Sequence, residues 1–198
     1  MVQVEKYGNF QPKGKSKEKK QIILTHTSRN IEDYLNSVSF RFNKKYNKIP
    51  NYIIDREGKI YNLISDLEYT KFFNDESVNK NSIIITLENL GWLYKEPLKD
   101  YYVNWIGDIY NGKVVDRKWR DYFFWQPYTE SQINSTAFLC KKLFIDMKIN
   151  NDVIGNNTKI NGIERFEGVT TRSNYDVNYT DLSPAFNFEL FLKKIENE

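Results

Sequence analysis

The side chains that could carry out metal, redox or nucleophilic chemistry are few in this chain. His26 is the only histidine and Cys140 the only cysteine among 198 residues. No disulfide can therefore form within the chain, and no zinc cluster of cysteines and histidines can be assembled. Cys140 also falls on the apolar face of a predicted helix, which favours a small core residue over a reactive thiol.

The four tryptophans are a second group with chemical potential. Trp92, Trp105, Trp119 and Trp125 lie within or beside a stretch crowded with aromatic residues. Aromatic faces bind the apolar faces of sugar rings and anchor protein interfaces, so Trp92, Trp105 and Trp125 are candidate binding residues. Core packing is the alternative role for each of them.

The positive charge of the chain is concentrated in one segment. The formal net charge is +3, yet residues 13–20 alone hold five lysines and one glutamate. We therefore predict a basic N-terminal arm, residues 1–20, ahead of a single domain, residues 21–198. Such an arm can contact phosphates or an acidic partner but is more often a solvated segment, so we do not expect nucleic acid as a partner.

The composition excludes several classes of protein. Hydrophobic residues make up 40% of the chain, aromatic residues 16% and charged residues 28%, which is not typical of disordered, collagen-like or membrane-spanning chains. The longest apolar runs, such as residues 83–85, are far too short to cross a bilayer. The N-terminus lacks the basic segment and apolar stretch of a secretory signal, so we do not expect Sec-type export.

The elements that must position these residues begin with a strand and a helix. Residues 21–27 form a β-branched and apolar run of strand length. Apolar residues then recur with the spacing of a single helix face, and they are Ile31, Leu35, Val38 and Phe42. This helix is expected to end between Asn47 and Pro50.

A hairpin, a buried strand and an insertion follow. Residues 51–55 and 59–64 flank Gly58, which supplies the positive φ of a short antiparallel hairpin. Residues 82–88 are apolar almost throughout, which predicts a strand covered on both faces. From 93 to 125 the periodicity is lost, and this aromatic stretch is predicted to be an insertion of loops and short strands.

The last part of the chain is predicted to supply two helices and a strand. Thr129 and Gln132 form a capping box at the start of a helix whose apolar face includes Cys140. Residues 168–171 are a candidate strand, and residues 188–195 predict a closing amphipathic helix. The order of elements predicts an α/β fold with a mixed central β-sheet and helices packed on its faces.

Five segments carry short motifs in a fixed order. They are Ile22 to Ser28, Tyr52 to Ile64, Ser82 to Trp92, Tyr128 to Gln132 and Thr180 to Phe186. Together they resemble motifs of the zinc-dependent N-acetylmuramoyl-L-alanine amidases, whose fold is shared by peptidoglycan recognition proteins and phage amidase lysozymes. The resemblance runs from about Lys20 to Ile195 and implies a mixed α/β fold with peptidoglycan as the substrate class.

The resemblance also implies where a metal site would lie. Active members hold zinc with a first-strand histidine, a second histidine that opens a late loop, and an aspartate or cysteine, while a glutamate of the central strand is the base. Residue by residue, these positions fall on Thr25, Arg172, Asp181 and Thr86. Only the aspartate is retained, so we expect no catalytic residue, no metal ligand set and no cofactor.

Arg172 and Asp181 are expected to pair where the metal would lie. A guanidinium about 4 Å from a divalent ion would be repelled by up to ~8 kcal/mol at an effective dielectric of about 20. Beside Asp181 it can instead form a two-point hydrogen-bonded ion pair. The alternative is an ordinary surface arginine, with Asp181 capping the turn before Ser183. Tyr179 stands where the family often has a lysine or arginine.

His26 has two interpretations, which depend on the strand register. If Thr25 faces the cleft, His26 points to the other side of the sheet and is structural, because adjacent strand residues face opposite sides. A slip of one residue would bring His26 into the cleft as a binding residue.

We predict a catalytically inactive, zinc-free amidase-like domain that acts as a binding or structural module. Its partner would be a peptidoglycan fragment or another protein of an assembly, without a membrane, in a phage virion or the cytoplasm of the producing cell. The alternative is an active peptidoglycan amidase that cleaves the muramoyl-L-alanine amide through a rearranged zinc site, for example His26 and Asp181 with another carboxylate.

Overall fold

The computed structural model describes residues 4–40 and 48–196. Its strands, in chain order, are β1 (Val4–Lys6), β2 (Gly14–Lys15), β3 (Gln21–His26), β4 (Tyr52–Ile54), β5 (Ile60–Asn62), β6 (Glu68–Tyr69), β7 (Ser82–Leu87), β8 (Trp92–Lys95), β9 (Tyr102–Val103), β10 (Ile109–Tyr110), β11 (Val115–Trp119), β12 (Tyr122–Trp125) and β13 (Gly168–Thr171). The helices are α1 (Ile31–Phe40), α2 (Glu76–Asn81), α3 (Glu130–Met147) and α4 (Phe188–Glu196), with short 3₁₀ turns at Ile163–Arg165 and Arg172–Asn174.

Six strands form a central sheet in the order β1-β5-β4-β7-β3-β13. All neighbouring pairs are parallel except β4 and β5, which form the predicted antiparallel hairpin. β3 and β7 are buried along their whole length, as predicted for nearly continuous apolar strands in the middle of a covered sheet. The predicted α/β fold with a mixed central sheet is confirmed.

The two faces of the central sheet are covered by different elements. On one side, which we call the α3 face, Leu24 packs in a single cluster with Leu139 of α3 and with α4. On the other side, which we call the cleft face, Leu35 of α1 packs against Ile53. The segment before α2, around Phe72, covers the rest of the cleft face. Alternating strand residues supply the two cores because successive side chains point to opposite faces.

Local signals account for the helix boundaries. At the start of α3, the Thr129 hydroxyl accepts a hydrogen bond from the Gln132 N–H, and the Gln132 side chain accepts one from the Thr129 N–H, both at 3.1 Å. This confirms the predicted capping box. The first helix is described as far as Phe40, and the predicted positions Phe42 and Asn47 lie outside the described residues.

None of the helices in residues 4–40 and 48–196 has the length and hydropathy needed to cross a bilayer.

The β4–β5 hairpin depends on Gly58. Its φ is +85°, the left-handed region that glycine adopts without steric cost. A Cβ at this position would lie 2.7 Å from the carbonyl oxygen of Ser131 in α3. The glycine therefore serves both the turn and the contact between the hairpin and α3.

Residues 4–20 are part of the fold, which corrects the predicted separate basic arm. β1 pairs in parallel with β5 at the edge of the central sheet, and β2 pairs with β6. Lys13 forms an ion pair with Glu76, and the buried Lys19 donates a hydrogen bond to the Ser82 carbonyl at 3.1 Å. Burial lowers the pKa of Lys19 to about 8. The prediction was wrong because these partners lie far along the chain from the lysines.

The aromatic stretch folds as a second sheet. β8 to β12 form five antiparallel strands in the order β10-β9-β8-β12-β11. Aromatic pairs hold this sheet together, and Trp92 stacks on Tyr122 with 4.5 Å between ring centroids. The predicted insertion of short strands over residues 93–125 thus forms a unit of its own beside the central sheet.

Candidate functional site

The four positions that the sequence singled out lie at the carboxyl ends of β3, β7 and β13. Open α/β sheets commonly bind ligands at this end. The strand register pairs Thr25 with Thr86, and it pairs Leu24 with Thr171, so that Arg172 follows directly beside Thr25. The structure brings these positions together as two contacting pairs.

Thr25 and Thr86 form the first pair. Their Oγ1 atoms are 2.7 Å apart, and both residues are 0% exposed. One hydroxyl donates to the other, so each has a partner within the sheet. Two neutral, buried hydroxyls offer neither a strong metal donor nor a base.

Arg172 and Asp181 form the second pair, and the predicted ion pair is confirmed. Nη1 of Arg172 lies 3.8 Å from Oδ2 of Asp181, and the side chains are 18% and 4% exposed. The predicted two-point hydrogen bond is not formed, because 3.8 Å is beyond hydrogen-bond range. Nε of Arg172 is buried and has no hydrogen-bond partner among the described residues. A mostly buried guanidinium paired with a carboxylate is not an ordinary surface arginine.

Three aromatic rings enclose the guanidinium of Arg172. Its central carbon lies 3.7 Å from the ring centroid of Tyr179, 5.3 Å from that of Phe72 and 5.9 Å from that of Phe73. Arginine stacks well on aromatic faces because the guanidinium is planar and weakly hydrated. A lysine or arginine in place of Tyr179 would instead put a second cation beside Arg172. Sequence reasoning missed the two phenylalanine rings, since Phe72 and Phe73 belong to a distant segment without a motif.

Asp181 is fixed by the loop that follows β13. The Ser173 N–H and hydroxyl both donate to the Asp181 carbonyl oxygen at 2.7 Å. The backbone N–H of His26 lies 3.4 Å from the Asp181 carboxylate. The same carboxylate oxygen, Oδ2, therefore faces both Arg172 and the end of β3.

The His26 side chain lies on the α3 face, opposite Thr25. Its Nδ1 is 3.0 Å from the Tyr128 hydroxyl oxygen, and a Cβ at Gly91 would lie 3.2 Å from the imidazole. Burial lowers the pKa of His26, while the Asp181 charge raises it and the Arg172 charge lowers it. These side-chain contacts correspond to the structural interpretation of His26. The residue also forms part of the wall of a cavity beside Arg172.

Glu88 is a polar residue at this end of the sheet that sequence reasoning did not single out. One carboxylate oxygen accepts from the Ile31 N–H at 3.0 Å, and the other accepts from the Arg56 N–H at 3.1 Å. Glu88 thereby caps α1 and ties it to the hairpin. Burial raises the pKa of Glu88, although the two N–H groups and the Arg56 charge act in the opposite direction. The signal for this role was a carboxylate directly after an apolar strand.

A cavity of about 220 Å³ opens beside Arg172. Its walls include Arg29, Lys48 and Trp105. Trp105 comes from the insertion, is 49% exposed, and donates from Nε1 to the Ser28 carbonyl at 2.7 Å. Of the three predicted binding tryptophans, Trp105 is the one that the structure brings to the site.

The other tryptophans serve the insertion. Trp125 is 0% exposed and donates to the Arg117 carbonyl at 2.8 Å, which corrects its predicted binding role to a core role. A large ring fills the interior of a small sheet that has few other apolar residues to bury. Trp92 stacks within the same sheet and does not line the 220 Å³ cavity. Trp119 lines a separate cavity of about 630 Å³ between the insertion and the segment before α4.

The residues at the four positions do not fit a zinc ion. A catalytic zinc needs three strong donors from histidine, cysteine or carboxylate side chains. Thr25 is a weak donor and Arg172 is a cation, so Asp181 alone remains. Within residues 4–40 and 48–196, no three histidine, cysteine, aspartate or glutamate side chains are grouped so that they could hold a metal ion.

The fold is similar to that of known amidases. The family model described as N-acetylmuramoyl-L-alanine amidase matches residues 15–165. No curated protein sequence matches the chain. The N-acetylmuramoyl-L-alanine amidase LysC from Clostridium intestinale is 12% identical, with a TM-score of 0.56 over 100% of both chains. A selenomethionine derivative of AmpD is 12% identical, with a TM-score of 0.58 over 98% of this chain and 96% of that one.

One similar structure contains a substrate. The amidase AmiD from E. coli, in complex with anhydro-N-acetylmuramic acid-L-Ala-D-gamma-Glu-L-Lys, is 16% identical with a TM-score of 0.53. The match covers 92% of this chain and 59% of the AmiD chain. At these identities the likeness shows a shared fold.

Proposed function

Because the chain belongs to the N-acetylmuramoyl-L-alanine amidase family, we propose that it is a catalytically inactive, zinc-free member that retains the fold to bind peptidoglycan. The observation that carries this proposal is the guanidinium of Arg172. It pairs with Asp181 and is enclosed by aromatic rings at the position that the resemblance assigns to the second metal ligand.

The charge of Arg172 argues against a metal at this place. At an effective dielectric of about 20, a divalent ion about 4 Å from the guanidinium would be destabilised by up to ~8 kcal/mol. Arginine cannot relieve this repulsion by losing a proton, whereas a histidine at the same place could bind as a neutral ligand. The negative charge of the Asp181 carboxylate is already balanced by the positive charge of Arg172, so a metal ion is not required to balance it.

The site also lacks a base for amide hydrolysis. Thr86 carries no ionisable group, and its hydroxyl is bonded to Thr25 beneath the surface. Glu88 lies two residues further along, but its two oxygens accept hydrogen bonds from two backbone N–H groups. Proton abstraction from water needs a carboxylate that is free to reach that water, and neither position supplies one.

Peptidoglycan is proposed as the ligand because the fold is that of peptidoglycan amidases. The E. coli AmiD structure holds a muramyl peptide on this fold. In this chain a cavity with an exposed tryptophan, Trp105, lies at the carboxyl ends of the central strands. A binding module needs that surface and does not need the metal.

We further propose a phage virion or another assembly as the setting, with a second protein as a partner. The support is compositional, since asparagine, lysine, isoleucine and tyrosine are abundant, as in proteins encoded by AT-rich genomes. Mass spectrometry of purified virions from the producing cells tests this setting. Recovery of the chain only from the cytoplasm would overturn it.

Zinc content, hydrolysis and binding of the full chain test the proposed function together. We expect no stoichiometric zinc by plasma mass spectrometry after expression in zinc-containing medium. We expect no stem peptide to be released from purified peptidoglycan, although an active amidase assayed in parallel releases it. The chain should nevertheless cosediment with insoluble peptidoglycan.

Two results would contradict the proposal in different ways. One zinc per chain together with release of stem peptide would establish the alternative, an active amidase with a rearranged site. Failure to cosediment would remove peptidoglycan as the ligand.

A further inference from the structure

Cations from three separate elements converge on the 220 Å³ cavity. Arg29 follows β3, Lys48 precedes β4, and Arg172 follows β13. No carboxylate is among the side chains that line this cavity within the described part of the chain. Across residues 4–40 and 48–196, Arg172 alone of the three has a carboxylate oxygen within 4.0 Å, and that carboxylate is the buried Asp181. The cavity therefore carries an excess of positive charge.

The guanidinium of Arg172 has hydrogen-bonding capacity to spare. Its contact with Asp181 is 3.8 Å long, and Nε is buried without a partner among the described residues. Guanidinium groups carry five N–H donors and no acceptor. Buried donors without acceptors are rare in native proteins, and each one calls for an explanation such as an absent ligand, ion or water.

The rim of the cavity is built to hold Arg29 in place. The Arg29 guanidinium lies 5.2 Å from the ring centroid of Trp105, whose Nε1 is bonded to the Ser28 carbonyl. Ser28 itself has a φ of +58°, in the left-handed region that a residue with a side chain rarely adopts. Strained backbone of this kind is common where a loop must present a group to a ligand.

We propose that this cavity binds an anionic group, a carboxylate or a phosphate, between Arg29, Lys48 and Arg172. The inference rests on the proposed function, because it names the chemistry by which the module recognises its cell-wall ligand. Pockets that hold a whole ligand commonly measure about 300–1,000 Å³, and this cavity is smaller. It suits an acidic end group, with the remainder of the ligand outside.

Calorimetric titration of the full chain with three probes tests the anion site. The probes are N-acetylmuramyl-L-alanyl-D-glutamate, the same compound with both carboxylates amidated, and glycerol phosphate. We expect the acidic muramyl peptide to bind about tenfold or more tightly than its amide, because hydrogen bonds to an ionised acceptor are about twice as strong. Binding should weaken as salt is added. If glycerol phosphate binds and neither muramyl peptide does, the anion site stands and its ligand is a phosphate.

Three variants locate the site. Arg29→Gln and Lys48→Gln should each weaken binding by about fivefold or more, because each removes one charged donor. Lys99→Gln is the matched control, since it removes the same charge from an exposed turn that does not line the cavity. Circular dichroism and thermal melting confirm that each variant is folded.

The results separate this inference from the proposed function. Equal affinity for the acidic and amidated probes, with no phosphate binding, would overturn the anion site, and so would unchanged affinity in both cavity variants. If the chain still cosediments with peptidoglycan and remains inactive, the proposed function survives that failure. Zinc-dependent cleavage would instead remove the proposed function, whatever the probes show.

Discussion

The carboxyl end of β3 places two adjacent residues, Thr25 and His26, in contrasting surroundings. On the cleft face, Thr25 lies beside Arg172, a cation with a 3.8 Å ion pair and a buried N–H that lacks a partner among the described residues. On the α3 face, His26 packs against Gly91 and bonds to Tyr128 at 3.0 Å. The His26 ring is thus packed and hydrogen-bonded, whereas the Arg172 guanidinium keeps a buried donor without a partner among the described residues. Native proteins concentrate such exceptions where they function.

The two faces differ because different kinds of element cover them. The α3 face meets two regular helices, whose apolar side chains fill one continuous core. The end of the cleft face is covered by loops, among them the segment around Phe72 and the loop from Arg172 to Asp181. Loops on a rigid sheet can present polar groups without weakening the core beneath them.

The strongest change to the cleft face would restore a metal site. Thr25→His, Thr86→Glu and Arg172→His together would place two imidazoles beside Asp181 and a carboxylate next to them, which suits zinc. We expect one zinc per chain by plasma mass spectrometry in this triple variant and none in the natural chain. Arg172→His alone is the control and should stay without zinc, because it leaves a single imidazole at the site. A folded triple variant without zinc would refute the residue-by-residue assignment.

Truncation on the α3 face should cost the most stability. Leu139 is 0% exposed, so we expect Leu139→Ala to lower the free energy of unfolding by about 2–5 kcal/mol. The neighbouring Phe138 is 44% exposed, and Phe138→Ala should change stability by only about 0.5 kcal/mol. Urea unfolding measures both. Equal losses would contradict the packing described for α3.

Removing the counter-charge on the cleft face should cost less. Asp181→Asn leaves the guanidinium of Arg172 partly buried without its carboxylate, and we expect a loss of about 1–3 kcal/mol in urea unfolding. The value is below that of a fully buried pair because the Arg172 side chain keeps 18% of its surface exposed. The double variant Asp181→Asn with Arg172→Met should recover part of the loss. If it recovers none, the two side chains are not coupled.

Acid should weaken the α3 face through His26. Burial lowers the pKa of His26 below its unfolded value of about 6.5, so the unfolded chain binds more protons at lower pH. The contribution of His26 to the free energy of unfolding is complete above that unfolded pKa. It declines as the pH falls below that value, by at most ~1.4 kcal/mol per pH unit. Urea unfolding between about pH 5 and 7.5 measures this slope. His26 is the sole histidine, so His26→Gln should abolish it, and an unchanged slope would place the titration elsewhere.

Local patterns were sufficient for the regular elements. The capping box at Thr129, the hairpin at Gly58 and the nearly continuous apolar strand at 82–88 each involve neighbouring residues, and each is present. The ion pair of Arg172 with Asp181 was also predicted, because both positions belong to motifs of the family.

Contacts between distant segments could not be predicted in the same way. β1 and β2 are short, polar strands whose pairing depends on partners about 55 residues away along the chain. The rings of Phe72 and Phe73 meet Arg172 across the fold, and nothing in their own segment indicates it. The tryptophans were equally plausible as binding residues, and only their burial separates Trp105 from Trp125.

The sequence by itself determined that one histidine and one cysteine exclude a zinc cluster of such residues, and that Thr25 and His26 must face opposite sides of their strand. Both follow from composition and from the two-residue period of a β-strand. Only the tertiary structure decided which of the two faces the cleft and which cations gather beside Arg172. A register and a cavity depend on how separate elements pack together, and no local pattern specifies those distances.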